Sequence, residues 1–118
     1  MDFYGKDIIT LLENSSPEEK EQLPFGVIGF DSNYLVRIYN SFESQCSGFL
    51  KDFVIGKNIF IDIAPCMNNY LVALKFEEKD ELDEIIPYIL SFKVKPVKVE
   101  LRLLKSKQAK LSYVLIKR

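Results

Sequence analysis

Four side chains in this sequence are of types that, brought together, hold a small organic group: Cys66, Tyr39, Glu43 and Ser47. Cys66 closes the stretch I-G-K-N-I-F-I-D-I-A-P-C, a thiol placed just after a proline and behind an apolar run. A thiol in its thiolate form is a nucleophile and forms covalent links. Upstream, Tyr39, Glu43 and Ser47 recur every four residues in N-Y-L-V-R-I-Y-N-S-F-E-S-Q-C-S-G. Residues four apart lie on one side of a helical turn, so a phenol, a carboxyl and a hydroxyl would face one way. The expectation is that the two stretches meet across one small pocket, with Cys66 carrying a group and Tyr39 and Glu43 hydrogen-bonding to its far end.

Other chemistries are disfavoured by what the sequence lacks. There is no histidine, hence neither the usual base for a Ser or Cys nucleophile nor the commonest metal ligand. A triad hydrolase is nearly excluded on that ground, and the chain is expected not to be an enzyme. Cys46 and Cys66 are the two cysteines. Structural zinc needs four Cys or His ligands, and two thiols in a chain of cytosolic character are poor grounds for a disulfide. Cys46 reads as a packing or surface residue.

The elements that must position these groups follow from length and pattern. A chain of 118 residues is near the commonest domain size and is expected to form one domain. No apolar run approaches the ~20 residues of a membrane span, and M-D-F-Y-G-K-D lacks a signal's basic start, so a cytoplasmic location is expected. Seven basic and 16 acidic residues precede Lys93, whereas nine basic and one acidic follow from it. Lys93, Lys95, Lys98 and Arg102 are interleaved with Val94, Val97, Val99, Leu101 and Leu103, which predicts charges on the wet side of a half-buried strand. No nucleic-acid partner is expected from them. The acidic run 77–84 reads as a solvated loop.

In chain order, residues 2–13 have helical spacing, and Ser16-Pro17-Glu18-Glu19 predicts a second, short helix over 17–22. Residues 25–30 and 34–39 predict a hairpin around the turn residues 31–33. One or two helical turns follow over 40–48, a turn over 52–56, and a short helix or extended segment over 58–63. A helix over 68–78 and a charged loop over 79–84 lead to three strands, 85–94, 97–104 and 111–116. Strands at both ends with helices between predict an α+β fold whose antiparallel sheet is covered on one face by the helical middle.

The phrases L-P-F-G-V-I-G-F-D, I-Y-N-S-F-E-S, V-I-G-K-N-I-F-I-D-I-A-P-C, P-V-K-V and Y-V-L-I-K-R resemble the photoactive yellow proteins, bacterial blue-light sensors of PAS fold. The resemblance runs from Phe3 to Arg118, with a shortened region between Asn69 and Ile86. It implies a PAS fold with a central five-stranded antiparallel sheet, in which residues 1–22 form an N-terminal helical cap on a core of residues 23–118. It implies p-coumaric acid (4-hydroxycinnamic acid) as a thioester on Cys66, with Tyr39 and Glu43 bonded to its phenolate and Ser47 supporting Tyr39. Light-driven trans-to-cis isomerisation, proton transfer from Glu43 and loosening of the cap are the implied signal. Its recipient is a downstream signalling protein of unknown identity, with no membrane partner, and the chain is expected to be a monomer or weak dimer.

The sequence departs from the family pattern at particular places. Phe49 stands where an arginine commonly gates the pocket, Val94 where a methionine assists return to the dark state, and Leu90 and Phe92 where aromatics pack on the chromophore. These departures predict altered colour and slow dark recovery. They also leave a second reading: a PAS ligand-binding or protein-interaction module that takes no chromophore. A cysteine-dependent enzyme is a third reading, unsupported by any second catalytic base.

Overall fold

The computed structural model of the chain describes residues 1–91 and 95–118; the expectations placed on Phe92, Lys93 and Val94 lie outside them. Five strands, β1 (Gly26–Phe30), β2 (Val36–Tyr39), β3 (Leu82–Leu90), β4 (Val97–Lys105) and β5 (Ser112–Lys117), form one antiparallel sheet in the order β2-β1-β5-β4-β3. The strands from the two ends of the chain meet at its centre, where β1 pairs with β5 (Ile28 opposite Val114) and β5 with β4 (Val114 opposite Leu103).

Side chains alternate across these strands, so the central ones read as continuous apolar runs when both faces are covered. On one face Ile28, Leu101, Leu103, Val114 and Ile116 pack with Val54, Ile59, Phe60, Ile63, Met67, Val72 and Phe76 from the middle of the chain. On the other, Val27, Leu104, Tyr113 and Leu115 pack with Phe3, Ile8 and Leu12 from the first residues. The second contact comes from α1 (Ile8–Asn14) and the segment before it. Short α2 (Pro17–Glu21) begins as the sequence predicts: Ser16 Oγ accepts from the Glu19 N–H, and the Glu19 carboxylate accepts from the Ser16 N–H.

The middle segment is α3 (Ser41–Ser47), α4 (Lys51–Val54), a π-helical turn (Ile59–Ile63), a 3₁₀ turn (Pro65–Met67) and α5 (Ala73–Glu78). Several boundaries differ from expectation. The Asp31 carboxylate accepts from the N–H groups of Asn33 and Leu35, and Tyr34 takes a left-handed φ of 64°. That turn chemistry delays β2 to Val36. Residues 51–54 are helical where a turn was expected, and the turn proper ends at Gly56, with φ of 87°. The helix expected over 68–78 is confined to α5, because Asn69 turns the chain by accepting from the Leu71 and Val72 N–H groups.

Two expectations about charge are corrected. β3 begins at Leu82, inside the predicted acidic loop, because Asp83 and Glu84 have cationic partners: Arg102 for Asp83, Lys75 and Lys79 for Glu84. Arg102 is buried rather than on the wet side. Its guanidinium meets the Asp83 carboxylate at 2.8 and 2.9 Å and donates to the carbonyls of Phe3 (2.9 Å) and Gly5 (2.8 Å). Those bonds satisfy a cation that would otherwise be costly to bury, and they tie the first residues to the sheet.

Candidate functional site

The site is assembled at the junction between β2 and α3. Tyr39 ends β2, within the strand expected over 34–39, and Glu43 and Ser47 lie on α3, so the four-residue spacing spans a strand–helix junction. Convergence comes instead from Asn40, which the sequence reading passed over. Asn40 is fully buried. Its Oδ1 accepts from the Glu43 N–H (3.2 Å), capping α3, and from the Val27 N–H (3.0 Å) of β1. Its Nδ2 donates to the carbonyls of Lys20 and Phe25, both at 3.0 Å. An Asn one position before a helix is a preferred N-cap, and that was the available signal. At the other end Gly48 closes α3 with a left-handed φ of 84°.

Tyr39 Oη and Ser47 Oγ lie 2.6 Å apart in the interior. The Phe49 N–H donates to Ser47 Oγ at 3.1 Å. Phe49 itself is half-buried against the main core and stacks on Phe53 with ring centroids 5.9 Å apart. Burial pushes the Tyr39 phenol far above its ordinary range; the Ser47 hydrogen bond and Arg118 oppose that rise, while Glu43 adds to it.

Glu43 is 0% exposed, and its hydrogen bonds go to Arg118 rather than Tyr39. Arg118 Nη1 donates to Glu43 Oε1 at 2.7 Å and Nη2 to Oε2 at 3.3 Å, a two-pronged pair. Burial raises the Glu43 pKa, and the Arg118 hydrogen bond and charge hold back part of that rise. Burial works to lower the pKa of Arg118, and Glu43 more than offsets it. Gly26 on β1 makes room for this carboxyl, since a Cβ there would overlap Glu43 Oε1. Arg118 ends the phrase Y-V-L-I-K-R, and no local signal points from it to Glu43.

Cys66 carries a free, half-buried thiol on the 3₁₀ turn and packs against the same core cluster that holds Tyr39. Its backbone is clamped by residues the sequence reading did not single out. The Cys66 carbonyl accepts from Tyr88 Oη (2.5 Å) and Asn69 Nδ2 (3.1 Å), and Asn69 Nδ2 also meets Tyr88 Oη at 2.7 Å. Leu90, on the same strand as Tyr88, is buried in that cluster. Cys46 is free and half-exposed on α3. The chemistry of the set fits a bifunctional acid: a thiol to hold a carboxyl end, and a buried phenol and carboxyl to meet a polar far end.

Comparison with known proteins places these features in a family. The chain is 32% identical to photoactive yellow protein from Halochromatium salexigens, over 98% of its own length and 95% of that protein. It is 26% identical to photoactive yellow protein from Rhodobacter capsulatus over the same shares. Among solved structures, the photoactive yellow protein domain from the sensor histidine kinase Ppr of Rhodospirillum centenum matches with a TM-score of 0.84 at 26% identity, over 93% of this chain and 99% of that one. The PAS domain of an HTR-like protein from Haloarcula marismortui matches over 97% and 98% with a TM-score of 0.66 at 14% identity, which bears on fold alone. No family model matches the chain. The fold is therefore the PAS fold, α+β with five antiparallel strands. Among the described residues no helix is long and apolar enough to cross a membrane.

Proposed function

Because this chain belongs to the photoactive yellow protein family, we propose that it is a blue-light photoreceptor carrying p-coumaric acid as a thioester on Cys66. The carrying observation is that Tyr39, paired with Ser47 in the interior, belongs to the core cluster against which the free Cys66 thiol packs, while Glu43 is fully buried beside Gly26 of β1. When bound, the chromophore supplies visible absorption and a double bond that isomerises in light. The rest is the work of the chain. Ser47 accepts from the Phe49 N–H, which leaves its own O–H to donate to Tyr39. Tyr39 then has its phenol proton free to donate to a phenolate oxygen.

Glu43 is the second donor. Burial favours its neutral form, and charge-assisted hydrogen bonds to a buried anion are the strong kind. Transfer of the Glu43 proton to that oxygen would move the negative charge onto Glu43, a relocation of buried charge to which a marginally stable small fold must adjust. The chain would act as one domain, with residues 1–22 a cap that loosens from the core of residues 23–118. A location in the cytoplasm and a monomer or weak dimer go with this reading. A downstream signalling protein would read the change; the similar domain from Ppr belongs to a sensor histidine kinase, which makes a kinase a reasonable class of partner.

The test is reconstitution of the purified chain with activated p-coumarate, with spectra before and after blue light. A visible band that needs Cys66 (lost in Cys66→Ala), bleaches in light and returns in the dark is expected, shifted in Glu43→Gln. A folded chain with its Cys66 thiol intact and no band would overturn the reading. It would favour the second one, a PAS ligand-binding or interaction module without chromophore. The observation behind that second reading is that the Glu43 carboxylate is already met by Arg118.

A further inference from the structure

Resting on the reading of Glu43 as a proton donor, we propose that Arg118 is its positioning residue: the cation that fixes the proton affinity of Glu43 and receives the carboxylate once the proton has gone. The geometry carries this. A two-pronged pair at 2.7 and 3.3 Å matches a planar guanidinium to both oxygens of an ionised carboxylate, a fit a protonated carboxyl does not offer equally. The Arg118 side chain is 17% exposed and Glu43 0%, so bulk water screens the pair weakly. Among the described residues, the surroundings give Glu43 little else to meet. From β1 comes Gly26, which lacks a side chain; from β2 the neutral phenol of Tyr39, itself bonded to Ser47; and the Cys46 thiol of α3 acts on Tyr39 and Arg118. Arg118 follows β5 and brings the full opposite charge.

The proton balance gives the consequence. Before transfer the site would hold one negative charge on a phenolate oxygen, a neutral Glu43 and the Arg118 cation. The O–H bond of Glu43 breaks, a new O–H bond forms on the phenolate oxygen, and the negative charge moves to Glu43 with no change in total. Arg118 therefore stays balanced in both states, and after transfer its partner is the group it already grips. A buried carboxylate with such a partner is far less strained than one left alone, so return of the proton is slowed.

The test begins with the chain as purified, without chromophore. The Glu43 carboxyl is titrated by carbon-13 NMR on glutamate-labelled protein and assigned with Glu43→Gln. Arg118→Gln is expected to raise the midpoint by at least one pH unit, a tenfold tighter hold on the proton, and Arg118→Lys by less. An unchanged midpoint in folded Arg118→Gln overturns the proposal. Should that variant not fold, hydrogen exchange of the Arg118 guanidinium in the parent decides: at least tenfold slower than in Glu43→Gln supports the pair, and equal rates overturn it. After loading, dark recovery in Arg118→Gln is expected to be about tenfold faster, and unchanged recovery overturns the claim on lifetime. Failure of the parent to form a band would count against the chromophore, while the titration still decides the pair.

Discussion

Glu43 and Gly26 compete for one space: a Cβ on residue 26 would overlap Glu43 Oε1 and lie 3.1 Å from its Cδ and 3.2 Å from its Cβ. Relieving that overlap means moving the carboxyl from the position in which it bonds Arg118. Gly26→Ala is expected to cost about 1–3 kcal/mol, the usual range for overpacking a filled interior. A urea midpoint equal to the parent's would mean the Glu43 side chain swings aside freely, against the packing described.

Ser47→Ala removes one of the two atoms of the buried 2.6 Å contact and the acceptor of the Phe49 N–H. Leaving a buried polar group without its partner costs about 1–3 kcal/mol. Ser47→Thr keeps the hydroxyl and is expected to recover most of the loss. Denaturant unfolding of both variants checks this, and the second distinguishes loss of the hydrogen bond from a general packing effect.

Arg102 binds the first residues to the sheet through the Phe3 and Gly5 carbonyls. In Arg102→Met those carbonyls and Asp83 lose a charged donor, at a cost on the order of 2 kcal/mol. The local effect is the sharper readout. Amide exchange and proteolysis are expected to rise within residues 1–14, since α1 has no side-chain cap at Asp7, and to stay near parent levels in β1 and β5. Uniform loosening would contradict a local anchor.

The raised pKa of Glu43 fixes the sign of a pH effect. In the window that opens at its ordinary value of 4.5 and closes at the folded value, the folded chain keeps a proton that the unfolded chain releases. Stability then falls as pH rises through that window and is greatest below it, as far as this group contributes. Stability against pH for the parent, less that for Glu43→Gln, should slope downward there. A difference curve rising with pH would show that Arg118 outweighs burial.

The sequence by itself determined the strand-rich ends, the helical middle and the side-chain types at the site, because period-two apolar runs and turn residues act locally. Its Ser16–Glu19 capping box is present as read, since a cap needs only neighbours in the chain. It also carried the family resemblance that Cys66, Tyr39, Glu43 and Ser47 express. The tertiary structure decided the rest. Arg102 reads as a surface residue by alternation, but it is buried because Asp83 and the Phe3 and Gly5 carbonyls arrive from other parts of the chain. Asn40, between β2 and α3, reaches β1 and α2 together. Arg118 lies 75 positions from Glu43, and only the pairing of β1 with β5 brings its end of the chain beside the carboxyl. Pairings over such separations obey no local spacing rule, because they depend on which strands become neighbours once both sheet faces are buried.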